Sequence, residues 1–215
     1  MKVLLYITGH RQLAEYYYFS EFLKRTETMK TFDVFIHCNN DKISPDLLKL
    51  YQMFPNKNKH VYVTSENAGY RMGGVEAVST GWDMGIFNKY DFVIHLHPDV
   101  FITDERPILK ILNEYHSTDV DFLVSTVFPA PCTYVAFDFF IFRTKNSNTN
   151  IFVEEMKTYE KPPEQYLHDM LDKYKVKYQY IKRFENDNAN PRRIDENLKL
   201  YHEHDMRKVH AMFQK

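Results

Sequence analysis

Five short runs of β-branched and aromatic residues alternate with stretches whose apolar side chains recur at helical spacing, so the chain is restricted to a sheet covered by helices. The first run, Val3-Leu4-Leu5-Tyr6-Ile7-Thr8, is nearly all apolar and stops at Gly9, as a strand buried on both faces does. Leu13, Tyr16, Tyr17, Phe22 and Leu23 follow with helical period. The spacing predicts further strands over residues 33–37, 61–63, 92–96 and 122–126, and helices over 45–54, 73–87 and 106–115. Ser44 is the expected N-cap of the second helix, with Pro45 in its first turn.

After residue 126 the texture changes. Residues 134–142 read as a long aromatic strand, 151–156 and 164–174 as helices, and 176–181 as a strand. Residues 185–193, with three asparagines and a proline, read as a surface loop. No repeat or low-complexity linker separates the two regions, and 215 residues suit one domain.

Charge excludes some functions. The 28 basic residues against 29 acidic ones give a net charge of −1, which leaves no global footprint for nucleic acid. The apolar run over 3–7 is too short for a signal peptide, and no segment approaches the roughly 20 residues a membrane span needs. Cys38 and Cys132 fit neither a zinc knuckle nor a redox pair and read as buried thiols. The expectation is a cytoplasmic monomer in a reducing compartment.

Glycine is scarce, with 6 in the chain, and five of them (Gly69, Gly73, Gly74, Gly81, Gly85) fall in one window ahead of and within the third helix. Glycines there let backbone approach a ligand, and a helix N-terminus offers free N–H groups to an anion. Arg71 adds a fork of donors for phosphate or a sugar hydroxyl. The window matches neither the P-loop nor the dinucleotide fingerprint, and a turn softened for close packing is the alternative. Gly9, His10 and Arg11 sit at another strand's carboxyl end.

A second constellation is the strand over 92–96 running into His97-Pro98-Asp99. It delivers an imidazole and a carboxylate to a strand's carboxyl end, where open α/β sheets bind ligands. Asp99 there could ligate a divalent cation that holds phosphates, or it could cap the following turn. The tail over 195–215 carries three of ten histidines, within it Tyr201-His202-Glu203-His204-Asp205. In extended chain His202 and His204 point the same way, and in a helix they splay. They read as metal ligands or as part of a solvated charged tail.

In this order, the strand ending Tyr6-Ile7-Thr8-Gly9-His10-Arg11, the helix entry Asn67-x-Gly69-x-x-x-Gly73-Gly74 and Tyr90-Asp91-Phe92-Val93 leading to His97-Pro98-Asp99 resemble the GT-A class of nucleotide-sugar glycosyltransferases. More narrowly they resemble the compact modules of large algal viruses. The likeness covers most of the chain and departs from the class at His97, where the class carries the first aspartate of Asp-x-Asp. It implies a single-domain, Rossmann-like α/β fold with a mixed, mainly parallel central sheet flanked by helices. Residues 1–103 would be the nucleotide-sugar half, and 104–215 the acceptor-side half and closing tail.

Carried over, the resemblance implies that Thr8, Gly9, His10 and Arg11 flank the nucleotide, with Arg71, Gly73, Gly74 and His97 along the nucleotide-sugar. Asp99 would hold Mn²⁺ or Mg²⁺ against the diphosphate, with His202 or His204 closing the metal site. The class also places an acid at a helix start in its second half, here Glu164, followed by Gln165 where a second acid would stand. In an inverting transfer one carboxylate takes the acceptor's proton. Glu164 is the first candidate, and an ordinary first-turn acid is its alternative reading. Asp138, alone among apolar residues, is the second.

The expected activity is metal-dependent transfer from a nucleoside-diphosphate sugar, UDP-linked, to a hydroxyl of a glycan or glycoprotein. One alternative is a non-catalytic carbohydrate- or nucleotide-binding module. The other is a sugar nucleotidyltransferase, which wants a glycine-rich, basic signature that Thr8-Gly9-His10-Arg11 does not supply.

Overall fold

A computed structural model describes residues 1–9, 13–39, 45–64, 73–126, 135–145, 161–181, 192–195 and 199–214. The first half alternates strand and helix: β1 (Val3–Gly9), α1 (Leu13–Arg25), β2 (Asp33–Asn39), α2 (Pro45–Met53), β3 (Lys59–Thr64), α3 (Gly73–Asp83) and β4 (Phe92–Leu96). It continues with β5 (Val100–Ile102), α4 (Arg106–His116), β6 (Phe122–Thr126), β7 (Val135–Arg143), α5 (Pro163–Lys173) and β8 (Tyr178–Ile181). The last described elements are β9 (Arg192–Asp195), β10 (Leu200–His202) and α6 (Met206–Phe213).

Seven strands form one sheet in the order β3-β2-β1-β4-β7-β6-β8. Strands β1 to β4 run parallel, β7 is antiparallel to both β4 and β6, and β8 pairs parallel with β6. This is the mixed, mainly parallel sheet flanked by helices that the sequence predicts. The chain adds strands on one side of β1 and then crosses to place β4 on the other. The switch point therefore lies between the carboxyl ends of β1 and β4, the position where open α/β sheets bind ligands.

Both faces of the sheet are buried, which is why β1 reads as a continuous apolar run rather than an alternating one. Val3, Leu5 and Ile7 pack with α1 residues Tyr16, Phe19 and Leu23 and with Ile108 and Leu112 of α4. Leu4 and Tyr6 face the other way, toward Val75, Val78 and Trp82 of α3 and Tyr166, Leu167 and Met170 of α5. The aromatic β7 supplies both layers, Phe139 to one and Phe137, Phe140 and Phe142 to the other. At about 1.5–3 kcal/mol per fully buried side chain, such a strand anchors both layers. Among the described residues no helix is long and apolar enough to cross a membrane.

The structure corrects several sequence expectations. The helix expected over 73–87 stops at Asp83, where Gly85, at φ +64°, carries the chain out of it. Gly85 N–H donates to Trp82 O and Ile86 N–H to Gly81 O, the paired bonds that close a helix with a left-handed residue. Gly81 is required by packing, because a Cβ there would lie 2.2 Å from the buried Phe87 ring. Two glycines of the ligand-facing window thus serve the far end of α3. Arg192 and Arg193, assigned to a surface loop, begin β9. The tail is no solvated end, since β10 pairs with β5 and β9 in a separate three-stranded antiparallel sheet. Helix α6 then packs on α1, with Phe213 stacked on Tyr18 and Val209 buried. The helix expected over 151–156 and Cys132 lie outside the described residues, and Cys38 is buried in the core, as expected.

Candidate active site

The carboxyl ends of β1 and β4 bring the first residues together. Thr8 is buried, with its hydroxyl 2.9 Å from His95 Nε2, and the His95 ring stacks on Phe140. Burial drives the His95 imidazole well below its ordinary pKa, and the neighbouring His97 adds to the effect. One strand away, Tyr6 OH donates to Ala77 O in α3 and lies 3.1 Å from His37 Nδ1. At the mouth of β2, Asn39 Nδ2 donates to Gly73 O at 2.8 Å and fixes the start of α3.

That start lies against His97. A Cβ on Gly74 would sit 3.1 Å from the Phe137 ring and 3.7 Å from His97 Nε2. Burial lowers the His97 pKa, opposed by the charges of Asp99, Asp138 and Glu164. Glu164 is half-buried in the first turn of α5, which packs on β7, near enough for its charge to act on His97.

After His97 the chain turns, Val100 N–H donating to His97 O, and Asp99 points into the protein with 7% of its side chain exposed. The tail returns here because β10 pairs antiparallel with β5, setting His202 opposite Val100. Glu203 N–H donates to Asp99 O, and the buried Glu203 carboxylate accepts from His204 N–H and Asp205 N–H. Asp205 then caps α6 by accepting from Arg207 N–H. As a result His202 Nε2 and His204 Nδ1 each lie 3.3 Å from Asp99 Oδ2. Ligand atoms of Asp99, His202 and His204 fall within 4.8 Å of one another.

His202 bridges two carboxylates, with Nδ1 3.0 Å from Asp138 Oδ2. Burial alone would lower its pKa, but bonds to Asp138 and Asp99 outweigh that and raise it to about 9. Burial likewise pushes Asp99 up, and the His202 bond with the charges of His202, His97 and His204 brings it below the usual carboxylate value. One carboxylate and two imidazoles within reach of a single point form a donor set suited to a first-row divalent ion.

The structure therefore assembles Gly73, Gly74, His97, Asp99, Asp138, His202 and His204 around one place, with Glu164 near enough to act on His97 through its charge. Thr8 and Gly9 end the adjacent β1, and His10, Arg11 and Arg71 lie outside the described residues. Sequence reading overlooked β5 and β10, whose three-residue length carries no period, and the Glu203 bracket. Helix α6 was detectable from the Asp205 cap followed by Met206, Val209 and Phe213 at helical spacing.

No protein-family profile matches the sequence, and no curated protein matches it. Solved structures share the fold. A protein from Desulfovibrio desulfuricans G20 assigned as a nucleotide-diphospho-sugar transferase aligns at TM-score 0.54 and 13% identity, over 85% of this chain and 80% of that one. The bifunctional glycosyltransferase WbbM aligns at 0.57 and 13% identity, over 84% of this chain and 38% of that one. A cytidylyltransferase from Leptospira borgpetersenii aligns at 0.54 and 15% identity, over 87% and 78%. At these identities the likeness establishes the fold, an α/β architecture shared with nucleotide-sugar transferases.

Proposed function

We propose that the chain is a metal-dependent glycosyltransferase. It would move a sugar from a nucleoside-diphosphate sugar, UDP-linked, to a hydroxyl of a glycan or glycoprotein. The observation that carries this reading is the return of His202 and His204 onto Asp99 beside the sheet's switch point. A bound divalent ion there supplies positive charge that offsets the charge developing on the departing diphosphate. Asp99, His202 and His204 would hold it. Gly73 and Gly74 keep the first turn of α3 close to the donor, and His97 offers imidazole nitrogens to it. Glu164 takes the proton of the acceptor hydroxyl as its oxygen bonds to the sugar's C1 and the C1–O bond to the diphosphate breaks. The product is the glycosylated acceptor, and the nucleoside diphosphate leaves. In this reading residues 1–103 serve the donor, while 104–215 supply the acceptor side and the closing tail, in the compact layout that resembles the algal-virus modules.

Sugar nucleotidyltransferases are the second reading, because a cytidylyltransferase shares the fold to the same degree. The two differ in product. A glycosyltransferase releases nucleoside diphosphate from a sugar nucleotide, and a nucleotidyltransferase releases pyrophosphate from a nucleoside triphosphate and a sugar phosphate. The test incubates the full chain with UDP- and GDP-sugars, and with nucleoside triphosphates plus sugar phosphates, in Mn²⁺ and in EDTA. Metal-dependent nucleoside diphosphate release that collapses in Asp99→Ala is the expected result. Pyrophosphate release would favour the second reading, and full activity of Asp99→Ala in EDTA would remove the metal.

A further inference from the structure

We propose that Asp138 is a positioning residue for the metal centre rather than a proton acceptor: its carboxylate turns the His202 ring so that Nε2 faces Asp99 and His204. The inference rests on the metal reading above. Asp138 stands in β7 among Val135, Ala136, Phe137, Phe139 and Phe140, all buried, where a carboxylate is tolerated only with polar partners. Its Oδ2 lies 3.0 Å from His202 Nδ1, and its own carbonyl accepts from His97 N–H at 2.9 Å. Side chain and backbone are thus both tied to the site.

The consequence follows from imidazole chemistry. A neutral imidazole carries its proton on one nitrogen and a lone pair on the other. Where an ion takes the place of the Nε2 proton that faces Asp99 in the metal-free protein, the imidazole is neutral, and Asp138, which can only accept, keeps the remaining proton on Nδ1 and leaves the lone pair on Nε2. That nitrogen is the one 3.3 Å from Asp99 Oδ2, the oxygen that His204 Nδ1 also approaches at 3.3 Å. Neighbouring donors each about 2.1 Å from a common ion lie about 3.0–3.4 Å apart, so the lone pair is aimed where an ion would sit. Metal-bound histidines commonly donate their other N–H to a carboxylate, and removing that partner costs about 10- to 100-fold in affinity. Use of Asp138 as the base would require a proton on the carboxylate that orients His202. Glu164, on the opposite element and half-buried, carries no such duty among the bonds described.

The test titrates Co²⁺ into the metal-free full chain, followed by calorimetry and by the visible spectrum of the bound ion, in the parent, Asp138→Asn, Asp138→Ala and Asp99→Ala. Expected are a loss of about 10-fold or more in Co²⁺ affinity and an altered spectrum in Asp138→Asn, with a larger loss in Asp138→Ala. Asp138→Asn keeps shape and volume, so it reports even if the alanine variant folds poorly. Co²⁺ affinity of Asp138→Asn within threefold of the parent, with an unchanged spectrum, would overturn the inference. If the parent takes up no Co²⁺, the metal reading itself falls. Binding by the parent with indifferent variants sinks only the role of Asp138.

Discussion

His37 illustrates what burial does to a single titratable side chain in this protein. It is fully enclosed at the end of β2, beside Tyr6 OH, and burial lowers its pKa to about 4 despite a bond to Ala77. Below pH 6.5 the unfolded chain takes a proton on this residue that the folded chain refuses. Stability is therefore lost progressively as pH falls from about 6.5 toward 4, by up to about 3 kcal/mol. Urea melts across that range should show the loss, and His37→Phe should flatten it even if the variant is less stable overall. An acid limb unchanged in His37→Phe would place the titration elsewhere. The sequence marks such residues only by type. His37, His95, His97 and His202 look equivalent in a list, yet the first two are enclosed in the sheet and His202 is held by two carboxylates.

Among the elements, α3 shows how one compositional signal divides into two physical roles. Gly73 and Gly74 open the helix, Gly74 against His97 and Phe137, whereas at the far end Gly81 admits the Phe87 ring and Gly85, at φ +64°, ends the helix. Phe87 packs edge-on to Tyr6, Trp82 and Phe142, so its ring has little room to retreat. Gly81→Ala should accordingly destabilise the fold by about 1–3 kcal/mol through overpacking, although alanine is the better helix former. Denaturant unfolding measures this, and a stabilised variant would show that the Phe87 ring can yield. The long elements were readable because their periods persist over many residues. The three-residue β5 and β10 were not, because a strand that short is defined by its partner.

Across the whole molecule, the candidate site joins Asp99 to a tail that begins a hundred residues later, so an ion bound there would tie the turn between β4 and β5 to the returning tail. At 100 times its dissociation constant such an ion should stabilise the fold by about 2.7 kcal/mol. At about 2–4 °C per kcal/mol for a chain of this size, melting should rise by roughly 5–10 °C. Two imidazoles and one carboxylate favour Mn²⁺ or Co²⁺ over Mg²⁺, so the shift should be larger with the former and absent in Asp99→Ala. Equal shifts with Mg²⁺, or a shift that survives Asp99→Ala, would place the ion elsewhere. The sequence by itself determined a sheet covered by helices and the carboxylate turn at Asp99, because hydrophobic period and turn chemistry are local properties of the chain, whereas the mainly parallel strand order was implied only by resemblance. Only the tertiary structure decided that Asp138 belongs to His202 and that both tail histidines reach Asp99. Those contacts depend on strand order and on the β5–β10 register, which distant segments fix together when they bury the same core.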